Sequence, residues 1–575
     1  MNRLLLLITT LIIVSLQLIA QPTQKSAPIY AADVLHHPVV GTNGMVASQH
    51  HLATQVGLDI LKKGGNAVDA AVAVGFSLAV VLPRAGNLGG GGFMLVHEAE
   101  KGTTKSFNYR EMAPAKSYKD MYLDAEGNVD REKLNAQYLS SGVPGSVAGM
   151  TRALELYGTM KLADVLAPAI RLAADGFEVT YDFARILKSL EERLRKFPET
   201  EKIFYKDNGG YYEAGDIFIQ KDLAWSLQQI AEDGSDAFYK GKVGKKIAKD
   251  MKKNNGFITM KDLNNYKVEE LEPVWGTYRD YEIASMPPPS SGGVHVLQML
   301  NILEYFPLGY LGHNSAETIH LMAEAMKLAY ADRSEHLGDP NFWEVPVKGI
   351  ISKTYAAELK EKINRWQSTP SAQIKPSKPQ AYESDETTHF TVVDKEGNVV
   401  CSTYTLNFSF GSGVVAKGTG ILMNNEMSDF AAKPGEADAF GLIGGLANAV
   451  EPGKRPLSSM TPTMVFKDGK PYFATGSPGG SRIITTVLQT ILNIIDHEMN
   501  VAEATHAPRI HHQWYPEVLY IEKGVSYDTQ NLLRSRQHDV RYRNAMGSTQ
   551  TIMLRDGLIL GASDPRRPDA VTMGF

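Results

Sequence analysis

Thr387 stands where the chain changes character. Residues 367–384 are rich in Ser, Pro, Lys and Gln and read as a linker. From Thr388 the text turns strand-like: Thr388-His389-Phe390-Thr391-Val392-Val393-Asp394, a polar turn Lys395-Glu396-Gly397-Asn398, then Val399-Val400-Cys401-Ser402-Thr403-Tyr404-Thr405. Two β-rich runs around a four-residue turn with Gly predict a hairpin. A side-chain hydroxyl is a poor nucleophile without a base. A threonine at a free N-terminus carries its own, an α-amine with a reference pKa of about 8. In an intact chain that amine is an amide, so this chemistry requires cleavage of Glu386–Thr387, which the same hydroxyl could perform by attacking the preceding carbonyl. The competing reading is plain: a threonine at the head of a strand is often only a strand former.

Other residues could complete such a site. Gly479-Gly480 precedes an apolar helical run and offers two backbone N–H groups unobstructed by side chains, suited to an oxyanion; such a pair also serves as an ordinary helix-entry turn. Arg110, Ser458 and Ser459 could bind a carboxylate, although a lone Arg is commonly a surface ion pair. Asn407, Glu426 and Asp429 could bind an ammonium group. A carboxylate site beside an ammonium site describes the end of an amino acid. Signatures of other chemistries do not hold up. There is no His-Glu-x-x-His, and His511-His512 are adjacent, a spacing that on a helix cannot present two ligands on one face. There is no Gly-x-Ser-x-Gly. Gly411-Ser412-Gly413 has no convincing helix after it, as a dinucleotide fold would need. No metal and no cofactor is implied. Cys401, alone in the chain, lies mid-strand and reads as a small buried hydrophobe rather than a nucleophile.

The elements that must hold these residues are readable from pattern. Ala53–Lys63 predicts an amphipathic helix stopped by Gly64-Gly65, and Asn66 caps a second, nearly all-apolar helix over Ala67–Val81. Gly89-Gly90-Gly91-Gly92 leads into a strand and, with no Gly-Lys-Ser/Thr, is expected to serve close backbone packing. Helices are predicted over Leu162–Ala174, Leu223–Glu232, Val294–Tyr305, Ala316–His336 and Ile483–Ile495. Residues 431–450 form a long Gly/Ala/Pro-rich loop, the kind that serves as a lid.

The whole chain bounds the reading. Its 575 residues exceed one usual core, and 43% hydrophobic with 21% charged residues is a globular composition. Net charge is −5 and no Lys/Arg block stands out, so a nucleic-acid partner is not suggested. Arg3 followed by an apolar run to Ala20 has the shape of a secretory signal peptide covering residues 1–20; an uncleaved anchor is the alternative.

The text Leu61-Lys62-Lys63-Gly64-Gly65-Asn66-Ala67-Val68-Asp69-Ala70, Ala85-Gly86-Asn87-Leu88-Gly89-Gly90-Gly91-Gly92-Phe93-Met94, Arg110-Glu111-Met112-Ala113-Pro114, Gly142-Val143-Pro144-Gly145-Ser146, Thr387-Thr388-His389, Arg455-Pro456-Leu457-Ser458-Ser459-Met460 and Thr475-Gly476-Ser477-Pro478-Gly479-Gly480-Ser481-Arg482 resembles the bacterial γ-glutamyltranspeptidases (glutathione hydrolases) over nearly all of residues 40–575. The resemblance implies an α/β (α+β) fold of N-terminal-nucleophile hydrolase type: a four-layer αββα sandwich with two mainly antiparallel sheets between helical layers. It implies a proenzyme that cuts itself before Thr387 into a large subunit, residues 21–386, and a small one, residues 387–575, which remain together as an intertwined heterodimer. It further implies Thr387 as nucleophile with Thr405 supporting it, and Gly479 and Gly480 as the oxyanion hole. Arg110, Ser458 and Ser459 match the α-carboxylate binders, and Asn407, Glu426 and Asp429 the α-amino binders. Substrates would be glutathione and other γ-glutamyl compounds, with water, amino acids or dipeptides as acceptors, in an exported enzyme without membrane attachment after signal removal. Two positions depart from the pattern: Glu426 where many bacterial members carry Gln, and Phe440 where several have Tyr, which removes a hydroxyl contact from the lid. The nearest rival is a related amidase or acylase acting on another acyl group, such as a β-lactam side chain. A second is an exported binding protein without turnover.

Overall fold

The hairpin predicted around Gly397 forms, with Thr388–Asp394 antiparallel to Val399–Thr405, Thr388 opposite Tyr404 and Val392 opposite Val400. Every residue of both strands is buried, so the hairpin lies inside a sheet rather than at an edge. The computed structural model describes residues 34–375, 387–436 and 442–575. The 1–20 segment, the Glu386 side of the expected cleavage bond and Phe440 lie outside them.

Among the described residues, two seven-stranded sheets dominate. In one, the strands run in the order Val571–Gly574, Gly44–Ser48, Thr388–Asp394, Val399–Thr405, Gly91–Glu98, Thr103–Tyr109 and Glu269–Leu271. In the other, the order is Val39–Gly41, Leu558–Ser563, Gln550–Arg555, Lys470–Thr475, Thr463–Lys467, Tyr281–Ser285 and Val274–Tyr278. All neighbouring pairs with a recorded register in these two sheets are antiparallel.

The period-two alternation of a strand sorts their residues between three cores. Met45, Leu95, Val393 and Cys401 of the first sheet meet Ala284, Met464, Phe466 and Ile552 of the second. On the first sheet's outer face, Val46, Met94, Phe390 and Val392 pack with the helices His51–Lys62 and Ala67–Val81. On the other sheet's outer face, Ile283, Val465 and Phe473 pack with Gly292–Leu303, Ala316–His336 and Arg482–Ile495. The order is helices, sheet, sheet, helices, the four-layer αββα sandwich expected.

The predicted helices appear with ends moved by one or two residues. Asn66 makes the full capping box with Asp69, and every residue of Ala67–Val81 is buried. Burial pushes the Cys401 thiol well above its ordinary range, as fits a core residue. The helix Lys242–Lys253 carries six lysines in twelve residues, all on its exposed face, a basic concentration on one surface. It arises because a helix in the outer layer buries only one stripe, here Val243, Ile247 and Met251.

Two close approaches fix the hairpin that Thr387 begins. A Cβ on Gly90 would lie 2.0 Å from the carbonyl oxygen of Thr405, so the glycine run does serve close packing. A Cβ on Gly476 would lie 2.3 Å from Cε1 of His389. The His389 ring cannot give way easily: its Nδ1 is 2.8 Å from Thr403 Oγ1 and its Nε2 3.1 Å from Thr391 Oγ1. Burial lowers its pKa to about 3, so it is neutral at physiological pH. Gly476→Ala should therefore destabilise the protein by about 1–3 kcal/mol through overpacking. The check is the denaturant midpoint, and an unchanged midpoint would mean that the two sheets part there without cost.

Candidate active site

Thr387 precedes the central strand and is buried, 5% exposed. Its Oγ1 donates to Thr405 Oγ1 at 3.3 Å. Because Thr388 pairs with Tyr404, the ends of the two hairpin strands bring these threonines together. Thr405 Oγ1 also accepts the backbone N–H of Asn407 at 2.8 Å. Asn407 turns the chain at φ +74°, and its Nδ2 donates to Asn425 O at 3.2 Å and Ser428 Oγ at 2.8 Å. That turn ties the end of the strand Val399–Thr405 to the 3₁₀ turn Glu426–Asp429.

Thr387 and Thr405 line one pocket with Arg110, Arg333, Asn407, Glu426, Asp429, Ser458, Ser459, Gly480 and a partly apolar wall of Leu442, Leu457, Met460 and Ile483. Nine of the ten residues singled out from sequence thus converge; Gly479 lies directly behind Gly480. Gly479 has φ +131° and Gly480 φ +53°, conformations that favour glycine. Their carbonyls accept from Arg482 N at 3.0 Å and Ile483 N at 3.2 Å, opening the helix Arg482–Ile495. Neither glycine N–H donates to a protein acceptor among the described residues. Leu442 brings the 431–450 loop to the pocket, and the ends of that loop are tied where Ala431 N donates to Asn448 O at 2.9 Å.

The electrostatic centre is Arg110, which follows the strand Thr103–Tyr109 and is fully buried. Its Nη1 pairs with Glu426 and its Nη2 with Asp429; Glu111 stands 3.5 Å from Nη1. The expected carboxylate and ammonium sites are therefore one connected cluster. The other oxygens, Glu426 Oε2 and Asp429 Oδ1, are buried without a hydrogen-bond partner, as are both oxygens of Glu111. Each such acceptor costs about 1–3 kcal/mol unless a ligand donor meets it. Two unmet acceptors in one pocket fit an ammonium group. Burial, opposed by Arg110, drives the Glu426 carboxyl well above its ordinary range. The serines face the cluster: Ser458 Oγ accepts from Met460 N at 3.1 Å and Ser459 Oγ from Arg333 Nη2 at 3.3 Å.

Among the described residues one group, His320, Glu324 and His538, has ligand atoms close enough for a metal ion. They are already engaged: His320 Nδ1 is 2.8 Å from His538 Nε2, His320 Nε2 2.7 Å from Asn364 O, and Glu324 pairs with Lys327 at 2.5 Å. A closed hydrogen-bonded network explains the cluster without an ion.

A buried threonine hydroxyl at the head of a strand in one of two stacked antiparallel sheets, sharing a pocket with Gly480, fits the N-terminal-nucleophile hydrolase class. The model of the family Gamma-glutamyltranspeptidase matches residues 53–574, and the chain belongs to that family. A glutathione hydrolase proenzyme of Escherichia coli (strain K12) is 54% identical over 94% of this chain and 93% of its own. The acylase ACY 1 proenzyme of Pseudomonas sp. (strain V22) is 39% identical over 92% of each chain. The crystal structure of cephalosporin acylase from Bacillus halodurans superposes with a TM-score of 0.83 at 28% identity, covering 97% of this chain and 99% of that one.

Sequence reasoning missed Glu111, Arg333, Tyr266 and Arg455. Tyr266 Oη donates to Arg110 O at 2.8 Å, and Arg455 donates to the same oxygen. Glu111 and Arg455 carried a signal, an acid beside a candidate Arg and an Arg three residues before Ser458 in the matched text; Arg333 and Tyr266 sit on distant elements and carried none. The Glu111 carboxyl is pushed up to about 7 by burial, with Arg110 pulling it down. A raised acid favours folding only while protonated, so its contribution is whole below the ordinary value of 4.5 and lost as pH rises through 7. Glu111→Gln, which mimics the protonated form, should gain on the parent in unfolding midpoint between pH 5 and pH 8. A constant difference across that range would show that Glu111 does not titrate there.

Proposed function

We propose that this protein is a γ-glutamyltransferase and glutathione hydrolase made as a self-cleaving precursor. The observation that carries the reading is the meeting of Thr387 Oγ1 with the Arg110–Glu426–Asp429 cluster in one pocket. In the precursor, Thr387 Oγ1 attacks the Glu386 carbonyl, the peptide becomes an ester, and water releases residues up to 386. Thr387 then has a free α-amine and heads the small subunit, which stays bound to the large one because strands of both interleave: Thr388–Asp394 lies between Gly44–Ser48 and Val399–Thr405.

The same oxygen next attacks the γ-carbonyl of a γ-glutamyl amide. The α-amine takes the hydroxyl proton and passes it to the leaving amine, while the Gly479 and Gly480 N–H groups hold the oxyanion. Thr405 positions the hydroxyl. Asp429, Glu426 and Asn407 receive the substrate's ammonium, and Ser458, Ser459 and Arg110 its α-carboxylate. The γ-glutamyl ester on Thr387 goes to water or to the amine of an amino acid or dipeptide, and the 431–450 loop covers the acyl group meanwhile. Glu426 in place of an amide gives the ammonium a carboxyl oxygen, Oε2, that has no protein partner. The Arg3–Ala20 segment supports export, and among the described residues no helix is long and apolar enough to cross a membrane.

An acylase of the same architecture is the second reading, favoured by the ACY 1 and cephalosporin acylase likenesses. Burying three acids and an Arg around an apolar acyl group would leave their polar atoms unmet, so the cluster argues for glutamyl.

Thr387→Ala should stay a single chain and lack activity; two fragments from this variant, seen by intact mass, would remove Thr387 from both steps. Glycylglycine added to a γ-glutamyl anilide assay should accelerate anilide release. No acceleration between pH 7 and 9 would leave hydrolysis as the only reaction.

A further inference from the structure

Residues three and four apart on a helix share a face, because each step turns the chain by about 100°. Lys242, Lys245, Lys246, Lys249, Lys252 and Lys253 follow that spacing and fall within an arc of roughly 120°. The other side of the helix is buried through Val243, Ile247 and Met251. Its one acid, Asp250, is buried too, accepting from Tyr138 Oη at 3.2 Å, Lys417 N at 3.1 Å and Asn254 Nδ2 at 3.1 Å. That carboxylate faces inward, and the lysines face out.

Other surface lysines have acid partners: Lys188 lies 2.8 Å from Glu213, Lys206 2.6 Å from Asp216 and Lys240 2.9 Å from Asp236. Among the described residues, Lys242, Lys245, Lys249, Lys252 and Lys253 have no carboxylate within ion-pair distance. Lys246 is turned aside, donating to Gly418 O at 2.7 Å and lying 3.9 Å from the centre of the Trp225 ring. Like charges at this spacing repel. The chain as a whole carries a net charge of −5, so this face is a local excess that an anionic partner would relieve.

The lysines also border an apolar recess. Past the helix the chain turns at Asn255, φ +60°, and Gly256 N donates back to Met251 O at 2.8 Å. A Cβ on Gly256 would lie 2.5 Å from Met251 Sδ, so only glycine allows so tight a return. It lays Phe257 and Met260 along an opening of about 590 Å³ that Lys116, Lys245, Lys249 and Lys252 also line. A bare anion or a sugar-phosphate backbone has no use for the apolar part. A phospholipid uses both, with its phosphate among the ammonium groups and its upper acyl carbons against Phe257 and Met260.

We infer that the Lys242–Lys253 face is a docking surface for a bilayer containing anionic phospholipid, on which the protein rests without spanning it. None of the residues lining the recess lines the Thr387 pocket. Docking is therefore independent of the reaction proposed above.

The test is cosedimentation with lipid vesicles. The protein is purified after export, with loss of residues 1–20 checked by intact mass, because that apolar segment would itself enter a bilayer. Binding is expected to phosphatidylcholine vesicles containing phosphatidylglycerol, and not to phosphatidylcholine alone. It should fade between about 0.05 and 0.5 M salt as the charges are screened. Replacing Lys245, Lys249 and Lys252 together by Gln should lower the partition coefficient about 100-fold, with γ-glutamyl anilide turnover unchanged. The same triple change at Lys395, Lys467 and Lys470, exposed lysines outside the recess, should lower it less than about threefold. Equal losses from both triple variants would make the attraction a matter of net charge and overturn the proposal. So would equal binding to neutral vesicles, or release from vesicles by millimolar inorganic phosphate, which would mark a simple anion site. Retention on duplex DNA without binding to the anionic vesicles would overturn it in favour of a nucleic acid.

Discussion

A guanidinium with no solvent exposure is the constraint around which this site is arranged. Removing such an ion from water costs several kcal/mol, recovered only when opposite charges and hydrogen bonds surround it. Arg110 has both, through Glu426, Asp429 and the carbonyls of Pro456 and Leu457, which its Nε and Nη2 reach at 3.2 and 3.4 Å. Those contacts pin two loops from the C-terminal half of the chain onto a strand end from the N-terminal half. Asn448 links the loops to each other, donating to Asp429 O at 2.7 Å and accepting from Leu457 N at 2.9 Å. Arg110 is buried against these carboxyl groups, and their contacts with it offset part of the cost of burying both. Their second oxygens, held without partners, are what a ligand ammonium would satisfy.

The proposed nucleophile is supported differently. Thr387 and Thr405 end paired strands in the middle of a seven-stranded sheet, where the ladder and the cores on both faces set their separation. Such a scaffold holds reacting groups within the small tolerance that catalysis needs. The binding groups lie on turns, where backbone such as Asn407 at φ +74° can aim a side chain that a regular strand would send elsewhere. Rigid placement of the attacking atom and loop placement of the recognition groups explain how one sandwich serves several acyl groups. The cephalosporin acylase that superposes over nearly the whole chain shares the sandwich at 28% identity, and the fold alone does not select between acyl groups. The charged cluster does.

Much of this was legible in the chain. The hairpin, the Asn66 cap, the buried helix Ala67–Val81 and the glycine run all follow from local rules of periodicity, capping and close approach, which act over a few residues. The family text picked out ten residues, and nine line a single pocket, with Gly479 directly behind. Arg333 and Tyr266 escaped because a polar residue inside a helical or loop pattern looks like any solvated one. Nothing local distinguishes Arg333 from its neighbours on Ala316–His336 until the helix is packed and the Arg is found against Ser459.

The sequence by itself therefore determined the element types and, through its family resemblance, the αββα order, because strand alternation and capping depend on residues near one another in the chain and the matched text runs nearly the whole length. Only the tertiary structure decided how the charges are shared. Arg110 lies more than three hundred positions from Glu426 and Asp429, and whether a buried cation faces a ligand or its own acids is settled by desolvation and distance in the packed molecule. Thr387, first singled out as a linker meeting a strand, gains its neighbours in the same way, since strand pairing alone brings Thr405 within reach of its hydroxyl.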